Sequence, residues 1–122
     1  MSLLTAAWAA WGRGDHLAAD RYYAEALPLA RRLGDAWILI VALTDRGVAC
    51  EHRGDYEAAR SLWQEALATA RASGDRVAEA IALGLSGRLD IFEGKYPSGR
   101  ALVEECLRLA RQIGDEWIMW AR

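Results

Sequence analysis

The chain has 122 residues, of which 53% are apolar, so it can bury the core of one globular domain spanning residues 1–122. Fifteen basic and seventeen acidic residues leave a net charge of −2, which provides no overall field to hold nucleic acid or an anionic membrane. The sequence contains no run of about 18 apolar residues that could cross a bilayer. We therefore expect a cytoplasmic chain with neither a nucleic-acid nor a membrane partner.

The N-terminal stretch, residues 1–11, is apolar but lacks the basic segment that begins a signal peptide. It aligns with residues 41–51, forty positions further along the chain. We therefore predict that it forms a structural helix at about residues 2–13. Apolar residues at helical spacing predict further helices at 16–33, 36–53, 56–73, 76–93 and 96–113, and a seventh that begins near residue 116.

A Gly-Asp pair separates these helices, because glycine can end one helix in the left-handed conformation and aspartate can cap the next. The pair recurs every forty residues in two series: Gly14-Asp15, Gly54-Asp55 and Gly94-Lys95, and Gly34-Asp35, Gly74-Asp75 and Gly114-Asp115. Superposing residues 13–35 on 53–75 gives 12 identities in 23 positions. The chain therefore repeats a two-helix unit at about 1–35, 36–75 and 76–115, with a partial helix at 116–122.

The two prolines test these helix boundaries. Pro97 falls in the first turn of the sixth helix, where the missing N–H costs little. Pro28 falls inside the second helix, which we expect it to kink or shorten.

Small and bulky residues recur at fixed places within the repeat. The first helix carries Gly47 and Gly87, and the second carries two small positions around a bulky one: Ala19/Ala59/Gly99, then Tyr23/Trp63/Val103, then Ala26/Ala66/Cys106. With Gly-Asp-Tyr at 54–56 and Gly-Lys-Tyr at 94–96, this pattern resembles the tetratricopeptide repeat, lengthened to forty residues from about 34. Over the whole chain the resemblance implies an all-α, right-handed α-solenoid of three helix-turn-helix repeats with a partial C-terminal capping helix. The first repeat departs from it at Ala7 and His16, and the third at Lys95 and Gly99.

The run Gly-Asp-Tyr-x-x-Ala-Arg-x-Leu at 54–62 is similar to the long repeats of bacterial signalling ATPases and transcription regulators of the MalT type. Similar repeats occur in kinesin light chains and peptide-pheromone receptors. In such proteins the array is a sensor or scaffold beside other domains. The resemblance therefore implies a noncatalytic protein-interaction or scaffold module, such as the regulatory part of a larger bacterial protein.

No group of residues predicts catalysis, a cofactor or a metal site. His16 and His52 lie on different repeats, and we interpret them as a surface residue and a groove-facing residue rather than a pair of ligands. Cys50 and Cys106 form neither a metal-binding spacing nor a disulfide framework, which is typical of small buried residues in a reducing compartment. An enzyme or a small-ligand sensor stays the less favoured alternative.

A protein-binding surface is the main functional prediction. In the tetratricopeptide repeat family the first helix of each repeat lines the concave face, and a mostly apolar stripe there suits an amphipathic helix better than a charged tail. The alternative is that these residues pack within the curve of the solenoid. The stripe consists of Leu4, Trp8, Trp11, Trp37, Val41, Thr44, Val48, Glu51, His52, Val77, Ile81, Gly84, Arg88 and Phe92.

Tryptophans near both ends of the chain suggest a second function, a homodimerisation domain that has no external groove ligand. Trp8 and Trp11 lie near the start, and Trp117, Ile118 and Trp120 form a candidate docked or swapped segment near the end. Two alternatives are open: the chain is the interior of a longer array, or residues 116–122 fold back over the third repeat.

Overall fold

The computed structural model describes the backbone of residues 2–121 and the side chains of residues 2–116 and 119. Within this range the chain forms six α-helices and no strand, which confirms the all-α prediction. The first five helices agree with the predicted bounds to within one residue. The helices are α1 Leu3–Gly12, α2 His16–Leu33, α3 Ala36–His52, α4 Tyr56–Ser73, α5 Arg76–Phe92 and α6 Tyr96–Ala121.

The helices group into two compact units, Met1–Glu65 and Ala66–Arg122, and the boundary falls within α4. In the first unit α2 packs against α1 and α3, and in the second α5 packs against α6. Small residues let these helices approach closely. The assignment of residues 1–122 to one domain stays a prediction. Core residues include Ala7, Ala10, Ala18, Ala19 and Tyr23 in the first unit, and Ala80, Leu83 and Leu109 in the second.

Four of the five Gly-Asp pairs end one helix and begin the next, as predicted. Gly34 adopts the left-handed conformation with φ 69°, and its N–H donates to the carbonyl of Ala30 over 3.1 Å. The carboxylate of Asp35 then accepts from the backbone N–H of Ile38 over 3.2 Å. A cap of this kind contributes about 1 kcal/mol. The same capping bond is made by Asp15, Asp55 and Asp75.

The last Gly-Asp pair behaves differently, and the predicted separate helix from residue 116 is wrong. α6 runs without a break from Tyr96 to Ala121, and Gly114 lacks the positive φ of the turn glycines. Glycine permits the left-handed conformation without requiring it, so tertiary contacts decide which form it takes. Here the Arg76 guanidinium at the start of α5 forms an ion pair with Glu116, which lowers the pKa of that carboxyl. The pair anchors the extended helix where the turn was expected.

Pro28 does not shorten α2, which continues to Leu33. The proline is exposed, whereas Ala26, Leu27 and Ala30 beside it are buried. Burial of this helix face stabilises α2 and offsets the free-energy cost of the proline, because tertiary packing outweighs intrinsic helix propensity.

The mid-helix glycines lie at close contacts between two helices, as the repeat pattern predicted. A Cβ at Gly47 would overlap the indole of Trp63, a side chain with no exposed surface. A Cβ at Gly87 would lie 2.8 Å from Cγ2 of Val103 and 3.0 Å from the carbonyl oxygen of Gly99. Each unit therefore contains a pair in which the glycine of one helix accommodates a bulky residue of the next.

An ion pair between an arginine and a glutamate of successive second helices recurs after forty residues. Arg31 at the end of α2 pairs with Glu65 of α4 over 2.7 Å, and forty residues later Arg71 pairs with Glu105 of α6 over 3.3 Å. The four side chains are about one-third to one-half exposed. Pairs of this exposure contribute at most about 1 kcal/mol each, so they orient the second helices of successive repeats more than they stabilise them.

None of the helices within residues 2–121 combines the length and apolar character that a bilayer crossing requires.

Candidate partner-binding groove

An apolar groove of about 460 Å³ opens in the first unit, where the start of α1, the second half of α2 and the start of α3 meet. All of its lining side chains except that of Ser2 are apolar. Four of the large ones, Trp8, Leu29, Leu33 and Trp37, are also exposed. The groove is lined by Ser2, Leu3, Leu4, Trp8, Ala26, Leu29, Ala30, Leu33, Trp37 and Ile38.

The sequence of α2 explains the shape of this groove. Ala26 and Ala30 are four residues apart and therefore share one face of the helix, where both are buried. Leu29 and Leu33 share a neighbouring face and are 43% and 73% exposed. The small alanines thus form the floor, and the leucines form an accessible rim.

Trp8 is held at the groove by a hydrogen bond between α1 and α3. Its indole Nε1 donates to Oδ2 of Asp45 over 2.7 Å, while 48% of the side chain stays exposed. Burial raises the pKa of the Asp45 carboxyl above its ordinary value, and the bond from Trp8 opposes this shift. Burial and the nearby Asp45 charge also raise the pKa of Tyr23. A partly desolvated carboxylate therefore fixes one side of the indole and leaves the rest accessible.

We expect the free energy of unfolding of Asp45→Asn to rise relative to that of the wild-type chain as the pH increases from about 4 to about 7. Because the pKa of Asp45 is raised in the folded chain, the stability that it contributes is present below the unfolded pKa and is lost as the pH rises through the folded pKa. Asparagine does not ionise, yet its carbonyl can still accept from Trp8. Urea unfolding of both proteins across this pH range measures the difference.

A second variant tests the part played by the indole. Trp8→Phe removes the donor that lowers the pKa of Asp45, so its stability should fall more steeply with rising pH than that of the wild type. If the free energy of unfolding changed equally with pH in the wild type and in Asp45→Asn, the Asp45 carboxyl would not be the cause of the pH dependence.

The structure brings only part of the predicted stripe together at the groove. Leu4, Trp8 and Trp37 line it. Val41, Thr44, Val48 and Glu51 lie half-buried on α3 outside the lining, and the carbonyl of Thr44 accepts from Trp63 Nε1 over 3.1 Å. In the second unit Val77, Ile81, Arg88 and Phe92 are exposed and Gly84 is half-buried on α5. Their role in binding stays a prediction, and the side chains of Trp117, Ile118 and Trp120 lie outside the described residues.

Trp11 and His52 form a separate aromatic cluster with His16. The ring centroid of Trp11 lies 4.2 Å from that of His16 and 5.0 Å from that of His52. The centroids of the two imidazoles are 6.0 Å apart. The histidines are thus neighbours despite their separation in sequence. Within residues 2–116, no group of three or more potential ligands is placed to hold a metal ion.

The family model described as tetratricopeptide repeat matches residues 37–112, which is more than half of the chain. The chain belongs to the tetratricopeptide repeat family. Tetratricopeptide repeats generally mediate protein–protein interaction or scaffolding, and the family is noncatalytic. No curated protein matches this chain.

Most residues that line the groove precede residue 37, before the stretch that the family model matches, and sequence reasoning missed much of this lining. Leu29 and Leu33 were not among the predicted residues, although the corresponding positions in the next repeat are the polar Thr69 and Ser73. Leucines at positions where the next repeat has hydroxyl-bearing residues could have indicated an exposed apolar surface. Leu3, Ile38 and the alanine floor gave no such signal, because apolar residues at those positions also suit a core.

Proposed function

We propose that this chain is a noncatalytic protein-interaction module that binds an apolar, helical segment of a partner in the groove of its first unit. The observation that carries the proposal is the groove itself, where Trp8, Leu29, Leu33 and Trp37 are exposed beside a buried alanine floor. Exposed clusters of large apolar residues on a folded protein mark sites of association.

The chemistry of the lining favours a protein segment over a small metabolite. Small-molecule pockets combine an apolar lining with several convergent polar groups that fix the ligand's orientation. Ser2 is the only polar residue among those that line this groove, and the nearby Asp45 is engaged by Trp8. An amphipathic helix needs no such groups, since side chains at i, i+3/4 and i+7 can occupy an apolar groove.

A second surface in the other unit is proposed on the same physical grounds. Val77 and Ile81 lie four residues apart on α5 and are 55% and 50% exposed, and Arg88 and Phe92 continue the exposed side of this helix. We propose that these residues contact a protein partner separately from the groove.

The proposed setting is the regulatory part of a larger cytoplasmic bacterial protein. Its support is the similarity of the forty-residue repeat to those of MalT-type regulators and signalling ATPases. Cys50 and Cys106 are free thiols, as expected in a reducing compartment.

The groove is tested by Leu33→Asp with Leu17→Asp as the matched control. Both leucines are on α2 and are similarly exposed, at 73% and 71%, but only Leu33 lines the groove. An amphipathic helical peptide is first selected from a displayed library against the wild-type chain. Leu33→Asp should weaken its binding by at least about tenfold, whereas Leu17→Asp should leave it unchanged, because only the first places a charge in the apolar site.

Isothermal titration calorimetry gives the dissociation constants, and circular dichroism confirms that both variants keep their helices. Equal weakening by the two substitutions would place the binding surface elsewhere. Failure to select any helical peptide would also count against the groove as a binding site.

A further inference from the structure

The only two histidines of the chain, His16 and His52, meet in the first unit although they are distant in sequence. His16 begins α2 and His52 ends α3, and their ring centroids lie 6.0 Å apart. Both residues are exposed, so solutes can reach the two imidazoles. The packing of α1, α2 and α3 therefore creates an accessible imidazole pair at the end of these helices that lies away from the groove.

The repeat does not require histidine at either position. The residues forty and eighty positions after His16 are Tyr56 and Tyr96, and the residue forty positions after His52 is Phe92. An aromatic ring without an imidazole nitrogen is therefore compatible with the fold at both places. Histidine adds a nitrogen lone pair on each ring, which is a ligand group that phenylalanine lacks and that tyrosine offers only as an oxygen.

Trp11, near the end of α1, contacts both imidazoles. Its ring centroid lies 4.2 Å from that of His16 and 5.0 Å from that of His52. Trp11 is half-buried, so its position is fixed by the packing of α1 and it restricts the rotamers of the two exposed rings. Two ligand groups that are already close together lose less conformational entropy when they bind the same ion.

We propose that His16 and His52 bind one divalent transition-metal ion of the class of Zn²⁺, through one nitrogen of each ring, with water completing the coordination shell. Imidazole is a preferred ligand of such ions. A Zn–N distance of about 2.0–2.1 Å places each ring centroid about 3.2 Å from the ion, so two rings in tetrahedral coordination lie about 5.2 Å apart. The observed 6.0 Å exceeds this separation by less than about 1 Å, which small rotations of two exposed side chains can supply.

The neighbouring charges are compatible with a bound cation. Arg53, which follows His52, pairs with Asp20 of α2 over 2.7 Å, so its positive charge is compensated. The carbonyl groups at the end of α3 favour a cation at His52, whereas the N–H groups at the start of α2 disfavour one at His16, and these two effects offset each other. No set of three or more potential ligands occurs among the described side chains, so we expect a dissociation constant on the order of 10–100 μM.

Isothermal titration calorimetry of the complete chain with Zn²⁺ tests the site. His16→Tyr and His52→Phe introduce the residues that other repeats have at these positions, so each keeps a ring beside Trp11 but loses one ligand. Each should raise the dissociation constant at least about tenfold. Mg²⁺ should not bind, because it prefers oxygen ligands. A wild-type dissociation constant above about 1 mM, or an unchanged constant in both variants, would overturn the proposal.

Nuclear magnetic resonance of the wild-type chain provides a second test that needs no variant. Because the chain has two histidines, its spectrum contains two sets of imidazole signals. If both rings bind the same ion, the signals of His16 and His52 should change together along one saturation curve as Zn²⁺ is added. A change in only one set, or two different saturation curves, would contradict a shared site.

Discussion

Replacement of Trp63 by alanine should lower the free energy of unfolding by about 3–5 kcal/mol. The indole has no exposed surface, fills the space above Gly47 and donates Nε1–H to the carbonyl of Thr44 over 3.1 Å. Alanine would leave a cavity that the neighbouring helices cannot close, because the glycine has no side chain to extend into it. Equilibrium urea unfolding, followed by far-ultraviolet circular dichroism, measures the loss.

Trp37→Ala is the matched control for this prediction. Trp37 is 59% exposed at the groove, so its removal should change the free energy of unfolding by less than about 1 kcal/mol. A similar loss in both variants would show that the cost comes from removing a tryptophan in general and not from the Gly47–Trp63 contact.

Replacement of Gly87 by alanine should destabilise the chain by about 1–3 kcal/mol, although alanine is the better helix former. The added methyl would lie 2.8 Å from Val103 Cγ2, 3.0 Å from the Gly99 carbonyl oxygen and 3.1 Å from Leu102 Cβ. Two of these neighbours are a backbone atom and a Cβ, which cannot move without shifting α6. The steric cost therefore exceeds the gain in helix propensity.

The same substitution at Gly12 should have the opposite effect on stability. Gly12 ends α1, is exposed and has no neighbouring atom within 4 Å of a Cβ. Alanine there should stabilise the chain by about 0.4–1 kcal/mol, by restricting the unfolded state without a clash. If the urea midpoints of Gly87→Ala and Gly12→Ala shift in opposite directions, the contact between helices at Gly87 determines whether alanine stabilises or destabilises the chain. A stabilised Gly87→Ala would refute close packing at that position.

Structure and candidate function depend on different positions of the repeat. The fold depends on positions that the repeats share, such as the Gly-Asp turns, the alanines of the second helices and the paired Arg31 and Glu65. The rim of the groove depends on positions where the first two repeats differ. Leu29 and Leu33 stand where the next repeat has Thr69 and Ser73. A repeat can therefore keep its packing while one copy carries an exposed apolar rim.

The amino-acid sequence by itself determined the bounds of the first five helices, the capping role of four aspartates and the close contacts at Gly47 and Gly87. These features depend on short-range interactions, since a left-handed glycine and a capping carboxylate act within one turn of the chain. The contact between glycine and a bulky residue was also predictable, because the forty-residue repeat presents it twice.

Only the tertiary structure decided the features that depend on which helices meet. It placed Trp11, His16 and His52 side by side, joined Trp8 to Asp45 across two helices, and assembled the groove from three chain segments. It also continued α6 through Gly114, where the local sequence is equally compatible with a turn. Each of these features depends on contacts between residues distant in sequence, which local conformational preferences do not specify.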